Sequence, residues 1–163
     1  MVRKVFYSFH FDNDYWRVNQ IRNIGVIEDN KPVIANKWEE IKKNGNTAIK
    51  KWIDDNIRDK SCLIVLIGSE TANRKWVKYE IKKAWEDGKG VLGIYIHMLK
   101  DQYKSICNKG KNPFEEFILN NIKLSNIVKT YDPSSSTSTS TYKNIENNIE
   151  KWIEDAIKIR KNI

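Results

Sequence analysis

Two short apolar runs without alternation constrain the fold more than any other feature of the chain. Residues 62–67 read CLIVLI and residues 91–96 read VLGIYI, and polar or glycine-containing segments bound both runs. A strand that is apolar on both sides lies in the centre of a sheet covered on both faces, which is typical of parallel sheets. Residues 72–87, between the two runs, have the apolar spacing of an amphipathic helix that ends at Gly88. The order strand, helix, strand therefore predicts an α/β fold.

The remaining periodic segments continue this alternation. The connections between them are too long for hairpins, which favours a flavodoxin-like, doubly wound domain of about five parallel strands with helices on both faces. We expect strands over residues 3–9, somewhere between 24 and 36, and at 127–128; helices over 15–22, 47–57, 99–106 and 145–157; and a mobile Ser/Thr-rich loop at 134–141 before the last helix.

Length and composition restrict the class of protein. A chain of 163 residues suits one domain, which we place at residues 1–163. No apolar run approaches the roughly 18 residues of a membrane span, and no signal-peptide pattern follows Met1, so we expect a cytoplasmic protein without a membrane partner. Cys62 and Cys107 are isolated from each other and from any Cys/His cluster, so we expect no metal site.

The positive charge raises the question of a nucleic-acid partner. The formal net charge is +8, from 29 Lys+Arg and 21 Asp+Glu. Lysines recur beside acidic residues along the predicted helices, as in residues 37–40 and 50–55, and such lysines usually belong to solvated faces. We therefore expect no specific nucleic-acid partner, while the same positive field would attract a small anionic substrate such as a dinucleotide.

The predicted topology selects the loops where a ligand would bind. In a doubly wound sheet, ligands bind beyond the carboxyl ends of strands where the winding direction changes, which points to residues 9–12, 68–71 and 97–98. The sequence contains no GxGxxG, P-loop, HExxH or GxSxG motif. His10 and His97 belong to these loops, but without ligand spacing a structural role is the simpler interpretation of each.

The most informative stretch is residues 73–81 (NRKWVKYEI), on the helix after the first apolar run. Trp76 and Glu80 are four residues apart and share one side of that helix, so we expect an aromatic ring and a carboxylate to flank the crevice. An isolated glutamate on a lysine-rich helix is ordinarily solvated, and we expect Glu80 to be partly exposed. The spacing alone does not separate a catalytic Glu80 from a surface one.

Several separated motifs resemble TIR (Toll/interleukin-1 receptor) domains, in the order in which that family carries them. Residues 4–9 (KVFYSF) resemble the first strand, 61–69 (SCLIVLIGS) the third strand, 74–84 (RKWVKYEIKKA) the W-x-x-x-E helix and 88–91 (GKGV) the entry to the fourth strand. The resemblance covers residues 3 to about 117. It is greatest to the bacterial and archaeal TIR-like proteins of Thoeris anti-phage systems, through residues 6–10, 17–19, 22–23, 66–71, 74–81 and 112–114.

This resemblance implies an enzyme that cleaves NAD+ between nicotinamide and ribose. Thoeris-type members make a cyclic ADP-ribose isomer as a diffusible signal for a partner effector, and NAD+ is then the substrate, with no separate cofactor. Glu80 matches the catalytic glutamate of the family. Departure of nicotinamide leaves an oxocarbenium-like ribose, which a preorganised negative charge stabilises.

Cyclisation adds the requirement that NAD+ fold upon itself in a partly dry pocket. Trp76, Phe9 and Phe11 are candidates for stacking on adenine or nicotinamide, although core packing explains Phe9 and Phe11 equally well. A surface ion pair with Asp14 or Asp12 is an equal alternative to substrate binding by Arg17. The candidates for holding the pyrophosphate and ribose are His10, Arg17, Asn19 and Ser69.

Two other functions remain open on this architecture. One is a catalytically silent TIR-like module that works by homotypic assembly, although a scaffold needs neither Trp76 nor Glu80. The other is a receiver or flavodoxin-like ligand-binding domain, which the few acidic residues after the first strand disfavour. We expect a homo-oligomer, but residues 28–38 do not resemble the BB loop through which many TIR domains contact one another.

Overall fold

A five-stranded sheet in which all neighbouring strands are parallel organises the described part of the chain. The computed structural model describes residues 3–24, 27–28 and 40–163, with the backbone alone at 27–28. The strands are β1 (Arg3–Ser8), β2 (Ile27–Glu28), β3 (Cys62–Ile67), β4 (Gly90–Tyr95), β5 (Ile118–Leu119), β6 (Ile122–Lys123) and β7 (Thr130–Tyr131). The sheet order is β2-β1-β3-β4-β7, while β5 and β6 form a separate antiparallel pair.

Helices cover both faces of the sheet, as the apolar runs predict. They are α1 (Phe11–Arg22), α2 (Asn46–Ile57), α3 (Lys75–Glu86) and α4 (Ser138–Lys161), with single 3-10 turns at Thr71–Asn73 and Leu124–Asn126. Residues of α1 and α4 share one apolar cluster with the sheet, and residues of α2 and α3 share the other. The predicted flavodoxin-like, doubly wound α/β fold is confirmed.

The centre of the sheet is the pairing of β1, β3 and β4. Ser8 pairs with Val65, and Ile67 pairs with Tyr95, so the three strands end close together at the same edge. Every residue of β3 is buried, which explains why its sequence shows no alternation. At Gly90 the backbone of α4 packs directly on β4, because a Cβ atom there would lie 2.8 Å from the backbone nitrogen of Ile157.

Two predicted elements between β4 and α4 are wrong. The edge strand pairs at β7, two residues beyond the predicted 127–128, because the 3-10 turn Leu124–Asn126 occupies the chain just before that position. Residues 99–106 form turns rather than a helix. Their carbonyl groups are used instead as acceptors for α1, since Arg17 binds the carbonyl oxygens of Leu99 and Ser105.

The Ser/Thr tract is largely a helix start rather than a mobile loop over 134–141. The helix α4 begins at Ser138, and Thr137 is its N-cap. The Thr137 hydroxyl accepts from the Ser140 backbone N–H at 3.0 Å, and the Ser140 hydroxyl accepts from the Thr137 backbone N–H at 3.2 Å. Thr141 is fully buried and donates to the Thr137 carbonyl. These hydroxyls form a capping box, which composition alone did not reveal.

Two further expectations from the sequence concern residues 28–38 and membrane-spanning helices. The departure from the BB loop at residues 28–38 falls almost entirely outside the described residues. Among the residues that the structure does describe, none of the helices combines the length and apolar content required to cross a bilayer.

The capping box gives a direct test of this revised start of α4. Thr137→Ala should lower the free energy of unfolding by about 1 kcal/mol, because the first turn loses a side-chain acceptor. Thr137→Ser keeps the hydroxyl and should change it by less than half as much. Urea unfolding of both variants measures the difference, and equal midpoints for Thr137→Ala and Thr137→Ser would contradict the assignment.

Candidate functional site

The carboxyl ends of β1, β3 and β4 meet at one edge of the sheet, as the topology predicts. Residues 9–10 follow β1 there, residues 68–71 follow β3, and residues 96–98 follow β4. The chain from residue 98 to residue 112 then passes over this edge. A Cβ atom on Gly110 would lie 2.1 Å from the carbonyl oxygen of Gly68, so the segment touches the end of β3 backbone to backbone.

Glu80 reaches this edge from α3 and is buried. Its neighbours Val77 and Ile81 pack into the core between α3 and the sheet, and the Glu80 side chain follows them inward to the end of β1. The Ser8 hydroxyl donates a hydrogen bond of 3.2 Å to Glu80 Oε1. Only 7% of Glu80 is exposed, so the prediction of a partly exposed carboxylate is wrong.

Burial sets the ionisation of Glu80. Removal from water raises the pKa of Glu80 to about 8, and the hydrogen bond from Ser8 opposes that rise only in part. The carboxyl group therefore carries a proton at neutral pH in the ligand-free protein. A buried acid of this kind is poised to ionise when a cation approaches it, which is a property of active-site carboxyl groups.

His10 lies beside this edge as a buried, neutral ring. It is the N-cap residue of α1, it is 8% exposed, and its Nδ1 atom has no hydrogen-bond partner among the described residues. Burial lowers the pKa of His10, and the positive charge of Arg74 lowers it further. An unpaired nitrogen in a buried ring is free to bind a polar group of a ligand.

Phe9 belongs to an aromatic group at the end of β1. It is half-buried, and its ring lies 6.0 Å from that of Phe11, which in turn lies 4.9 Å from Tyr15. Phe9 also packs against the core between α1, α4 and the sheet. The structure thus supports the packing interpretation of Phe9, and its half-exposed position leaves the stacking role a prediction.

Arg17 is committed to the fold rather than to a ligand. The side chain is 5% exposed, and its guanidinium donates to the carbonyl oxygens of Leu99 and Ser105 at 2.8 and 2.9 Å and to Asp14 Oδ1 at 3.0 Å. The predicted alternative, pairing with Asp14, is present, but the pair is buried and not at the surface. Because its donors are occupied, Arg17 is poorly placed to bind a pyrophosphate.

The other predicted binding residues are more scattered. Ser69 is half-buried in the loop after β3, and Asn19 is half-buried on α1, more than two turns from Phe11. Trp76 is half-buried one turn before Glu80, with its ring edge-on to Tyr79 at 5.8 Å. It lines a surface hollow, the α3 groove, together with Lys50, Tyr79, Phe117 and other residues. Glu80 is not among the residues that line that groove, so Trp76 and Glu80 do not flank it together.

Sequence reasoning missed the role of Ser8 at this edge and the burial of Asp14. Ser8 is the hydrogen-bond donor to Glu80, and nothing in its local sequence marks it. Asp14 is buried, and burial raises its pKa to about 6 against the opposing effect of Arg17. The i, i+3 spacing from Asp14 to Arg17 was the available signal for that pair. A Cβ atom on Gly68 would overlap the carboxyl group of Asp14, so a larger residue there would have to displace this buried side chain.

His97, for which the sequence favoured a structural role, lies just after the end of β4. It is 8% exposed, its Nε2 atom lies 3.3 Å from the Ser134 hydroxyl, and its Nδ1 atom has no hydrogen-bond partner within the described residues. Burial lowers its pKa, so this ring is also neutral. No group of three or more His, Cys, Asp or Glu residues in the described ranges has the arrangement of a metal site.

Comparison with known proteins identifies relatives of this chain. The family model described as "Thoeris protein ThsB, TIR-like domain" matches residues 6–101, which include the second half of β1 and all of β3, α3 and β4. A ThsB1 protein of Bacillus cereus (strain MSX-D12), whose name gives it a proposed activity as a cyclic ADP-D-ribose synthase, is 42% identical over 120 residues. That alignment covers 71% of this chain and 62% of the relative, so the chain spans less than two thirds of the relative's length.

The buried carboxyl group gives a pH-dependent prediction. Between pH 4.5 and 8 the folded protein holds a proton on Glu80 that the unfolded chain has lost, so stability falls as the pH rises through this window. Within this window the free energy of unfolding falls by up to roughly 1.4 kcal/mol per pH unit because of Glu80. Glu80→Gln replaces the neutral acid by a neutral amide and should remove this contribution. Urea unfolding at pH 5.5 and 7.5 should show a smaller loss of stability for Glu80→Gln than for the parent protein.

A surface glutamate on the same helix is the matched control for that measurement. Glu86 is exposed, and Glu86→Gln should keep the pH dependence of the parent protein. If the free energy of unfolding depended on pH equally in the parent protein and in Glu80→Gln, a buried and protonated Glu80 would be contradicted.

The assignment of Arg17 to the fold is tested by its removal. Arg17→Met leaves Asp14 buried without its cation and should lower the free energy of unfolding by roughly 3 kcal/mol or more. Arg58→Met breaks an exposed pair with Asp55 and should cost less than about 1 kcal/mol. If urea unfolding gave similar losses for the two variants, the structural role of Arg17 would be refuted.

Proposed function

This chain belongs to the TIR-like domain family of the Thoeris protein ThsB, and on that premise we propose that it cleaves NAD+ and closes the ADP-ribose part into a cyclic product. The resemblance drawn from the sequence motifs is thereby confirmed at the level of the family. The single observation that carries the proposed activity is the buried Glu80 carboxyl group at the end of β1. This residue is also the one that matches the catalytic glutamate of TIR-type NAD+-cleaving enzymes.

The protonation of Glu80 fits the charge of the substrate. NAD+ carries its positive charge on the nicotinamide ring, and an opposite charge within a few ångströms favours the ionised form of a carboxyl group. Binding of the cationic ring should therefore lower the pKa of Glu80 and release its proton. The resulting carboxylate stands in a site that excludes water, where its attraction for a positive sugar is strongest.

The reaction then proceeds by loss of an uncharged leaving group. The pair of electrons in the bond between the ribose and the nicotinamide nitrogen departs with nicotinamide, and the positive charge passes to the ribose. Glu80 stabilises that cation until a nucleophile of the same ADP-ribose unit attacks the sugar carbon. If a hydroxyl attacks, it gives up its proton, and the Glu80 carboxylate is the acceptor that we assign to that step.

Other groups at the same edge would hold the substrate. Phe9, His10 and Ser69 follow β1 and β3 where Glu80 arrives, and the free Nδ1 atom of His10 is suited to a hydroxyl or phosphate oxygen. Asn19 and Trp76 stay predictions for the more distant parts of the dinucleotide. Arg17 is left out of this set because its donors are occupied.

The cyclic product would act as a diffusible signal for a separate effector. A protein that acts through a diffusible product does not have to contact that effector. Self-association and the cytoplasmic location are further parts of the proposal that rest on the family and on the sequence.

Release of nicotinamide from NAD+ is the experiment that tests the activity. Glu80→Gln should reduce release at least about 100-fold, because the amide supplies no negative charge to the sugar cation. Glu86→Gln, on the exposed side of the same helix, should release nicotinamide at the parent rate. Chromatography measures nicotinamide, and mass spectrometry of the second product separates a cyclic from a linear ADP-ribose.

The outcome also separates the enzyme from the interaction module. Turnover by Glu80→Gln at the parent rate would refute the catalytic assignment. A parent protein that is folded, self-associates and releases no nicotinamide would instead favour the silent module.

A further inference from the structure

His97 belongs to a network of polar side chains that the proposed reaction does not yet use. We call Lys109, Asp132, Ser134 and His97 the His97 network. The His97 Nε2 atom lies 3.3 Å from the Ser134 hydroxyl, and that hydroxyl donates to Asp132 Oδ1. The Lys109 ammonium lies 2.9 Å from Asp132 Oδ2. The network therefore joins a buried ring at the end of β4 to charged groups at the surface.

The network fixes the position of the proton on the His97 ring. Partial burial raises the pKa of Asp132, but hydrogen bonds from Ser134 and Lys109 outweigh it and hold that pKa at about 2. Asp132 is therefore a carboxylate, which only accepts, and the single proton of the Ser134 hydroxyl is used on it. Because the Ser134 oxygen can then only accept from His97, the neutral ring carries its proton on Nε2 and a lone pair on Nδ1.

The lone pair on Nδ1 is a buried acceptor in need of a donor. None of the described residues donates to this atom, and the ring is 8% exposed. A buried acceptor in this state costs free energy, which a ligand recovers when it donates a hydrogen bond. The phosphate oxygens of a dinucleotide carry no proton at neutral pH, so they do not fit this atom. A hydroxyl or amino group does.

His97 lies on the same face of the sheet as Glu80. Tyr95 packs against the core between α3 and the sheet, and the His97 ring stands edge-on to it at 6.1 Å. Glu80 meets the end of β1 on this face, and β3 separates β1 from β4. Strands two positions apart are roughly 10 Å apart, which is farther than one ribose extends. A dinucleotide with its nicotinamide ribose at Glu80 thus has its second ribose within reach of His97.

These observations point to a second polar contact for the substrate. We propose that His97 Nδ1 accepts a hydrogen bond from a hydroxyl of the adenosine ribose of NAD+, and that Asp132 and Ser134 are positioning residues that keep this atom unprotonated. The inference rests on the proposed NAD+ cleavage, because it adds a contact to the same substrate. A held adenosine half favours the folded substrate conformation that cyclisation requires.

Steady-state kinetics of nicotinamide release tests the acceptor. His97→Leu should raise KM for NAD+ about tenfold and leave kcat within about threefold, because a contact to a ribose that does not react holds ground state and transition state alike. His97→Asn places an amide oxygen near the position of Nδ1 and should recover most of the affinity. Urea unfolding of both variants separates a loss of fold from a loss of binding.

Analogues of NAD+ identify the donor. The 2′-deoxyadenosine and 3′-deoxyadenosine analogues each lack one hydroxyl, and one of them should have a KM about tenfold above that of NAD+ with the parent protein. His97→Leu should not distinguish that analogue from NAD+. Nicotinamide hypoxanthine dinucleotide lacks the adenine amino group. If it were the analogue that only the parent protein discriminates against, the donor would be the base, and the hydroxyl assignment would be overturned.

Asp132→Asn tests the positioning role without a change to the ring. The new amide can donate to Ser134, whose hydroxyl then donates to Nε2 and places the His97 proton on Nδ1. KM should rise about fivefold, although removal of a negative charge by itself favours an anionic substrate. Asp59→Asn makes the same change of charge at an exposed position before β3 and should leave KM within about twofold.

Nitrogen-15 NMR spectroscopy observes the ring directly, because the protein has two histidines and His97→Asn assigns their signals. We expect the His97 proton on Nε2 in the ligand-free protein, and NAD+ added to Glu80→Gln should shift the Nδ1 signal. A proton on Nδ1, or no shift with NAD+, would overturn the inference.

Two kinetic outcomes separate this inference from the proposed function. An unchanged KM in His97→Leu would leave NAD+ cleavage intact and would assign Nδ1 to a water molecule only. A parent protein that releases no nicotinamide would refute the proposed function, and the NMR titration with NAD+ would then decide the binding site by itself.

Discussion

Parallel hydrogen bonding between β1, β3 and β4 is the constraint on which the rest of the molecule depends. Parallel strands need long crossovers, so each pairing forces a helix onto a face of the sheet. The same pairing brings all three carboxyl ends to one edge, and the register of Ser8 with Val65 sets the depth at which β1 ends. Glu80 gains its partner only because Ser8 stands at that depth under α3.

Buried polar groups without a full set of hydrogen-bond or ion-pair partners distinguish the carboxyl edge of the sheet from the rest of the core. Within the described part of the chain, Glu80 has one neutral donor and no cation among its hydrogen-bond and ion-pair contacts, whereas Asp14 is held by Arg17. The rings of His10 and His97 are buried, and each keeps a nitrogen without a partner in the described ranges. Polar groups in this state reduce stability, and such a reduction is commonly tolerated where a ligand supplies the missing partners.

The sequence predicted the fold best where a pattern extended over several residues. The apolar run of β3 and the amphipathic α3 specify both elements, because burial on two faces or on one face leaves a distinct periodicity. The two-residue strand β7 is too short to carry such a signal, and its position depends on the turn before it. The start of α4 was missed because a run of hydroxyl residues has the composition of a loop and also the chemistry of a cap.

The site was predicted in part for the same reason. Helical spacing predicted that Glu80 shares one side of α3 with Trp76, whereas Glu80 is buried with Val77 and Ile81, and its hydrogen-bond partner Ser8 lies 72 positions away in sequence on β1. For Arg17, residue type left open a phosphate ligand or a pair with Asp14 or Asp12. The structure contains the pair with Asp14, and the other acceptors include carbonyl groups of a segment more than 80 residues later. Contacts of this separation leave no local pattern in a single sequence.

The close packing of α4 on β4 at Gly90 also bears on how the protein is made. The sheet strands β1, β3 and β4 are all synthesised before residues 138–161, and one face of that sheet is covered largely by Ile145, Ile149 and Ile153 of α4. Until those residues have left the ribosome, an apolar surface that includes Ile64 and Leu92 faces water. The nascent chain therefore passes through an aggregation-prone stage, in which chaperones have their opportunity to bind.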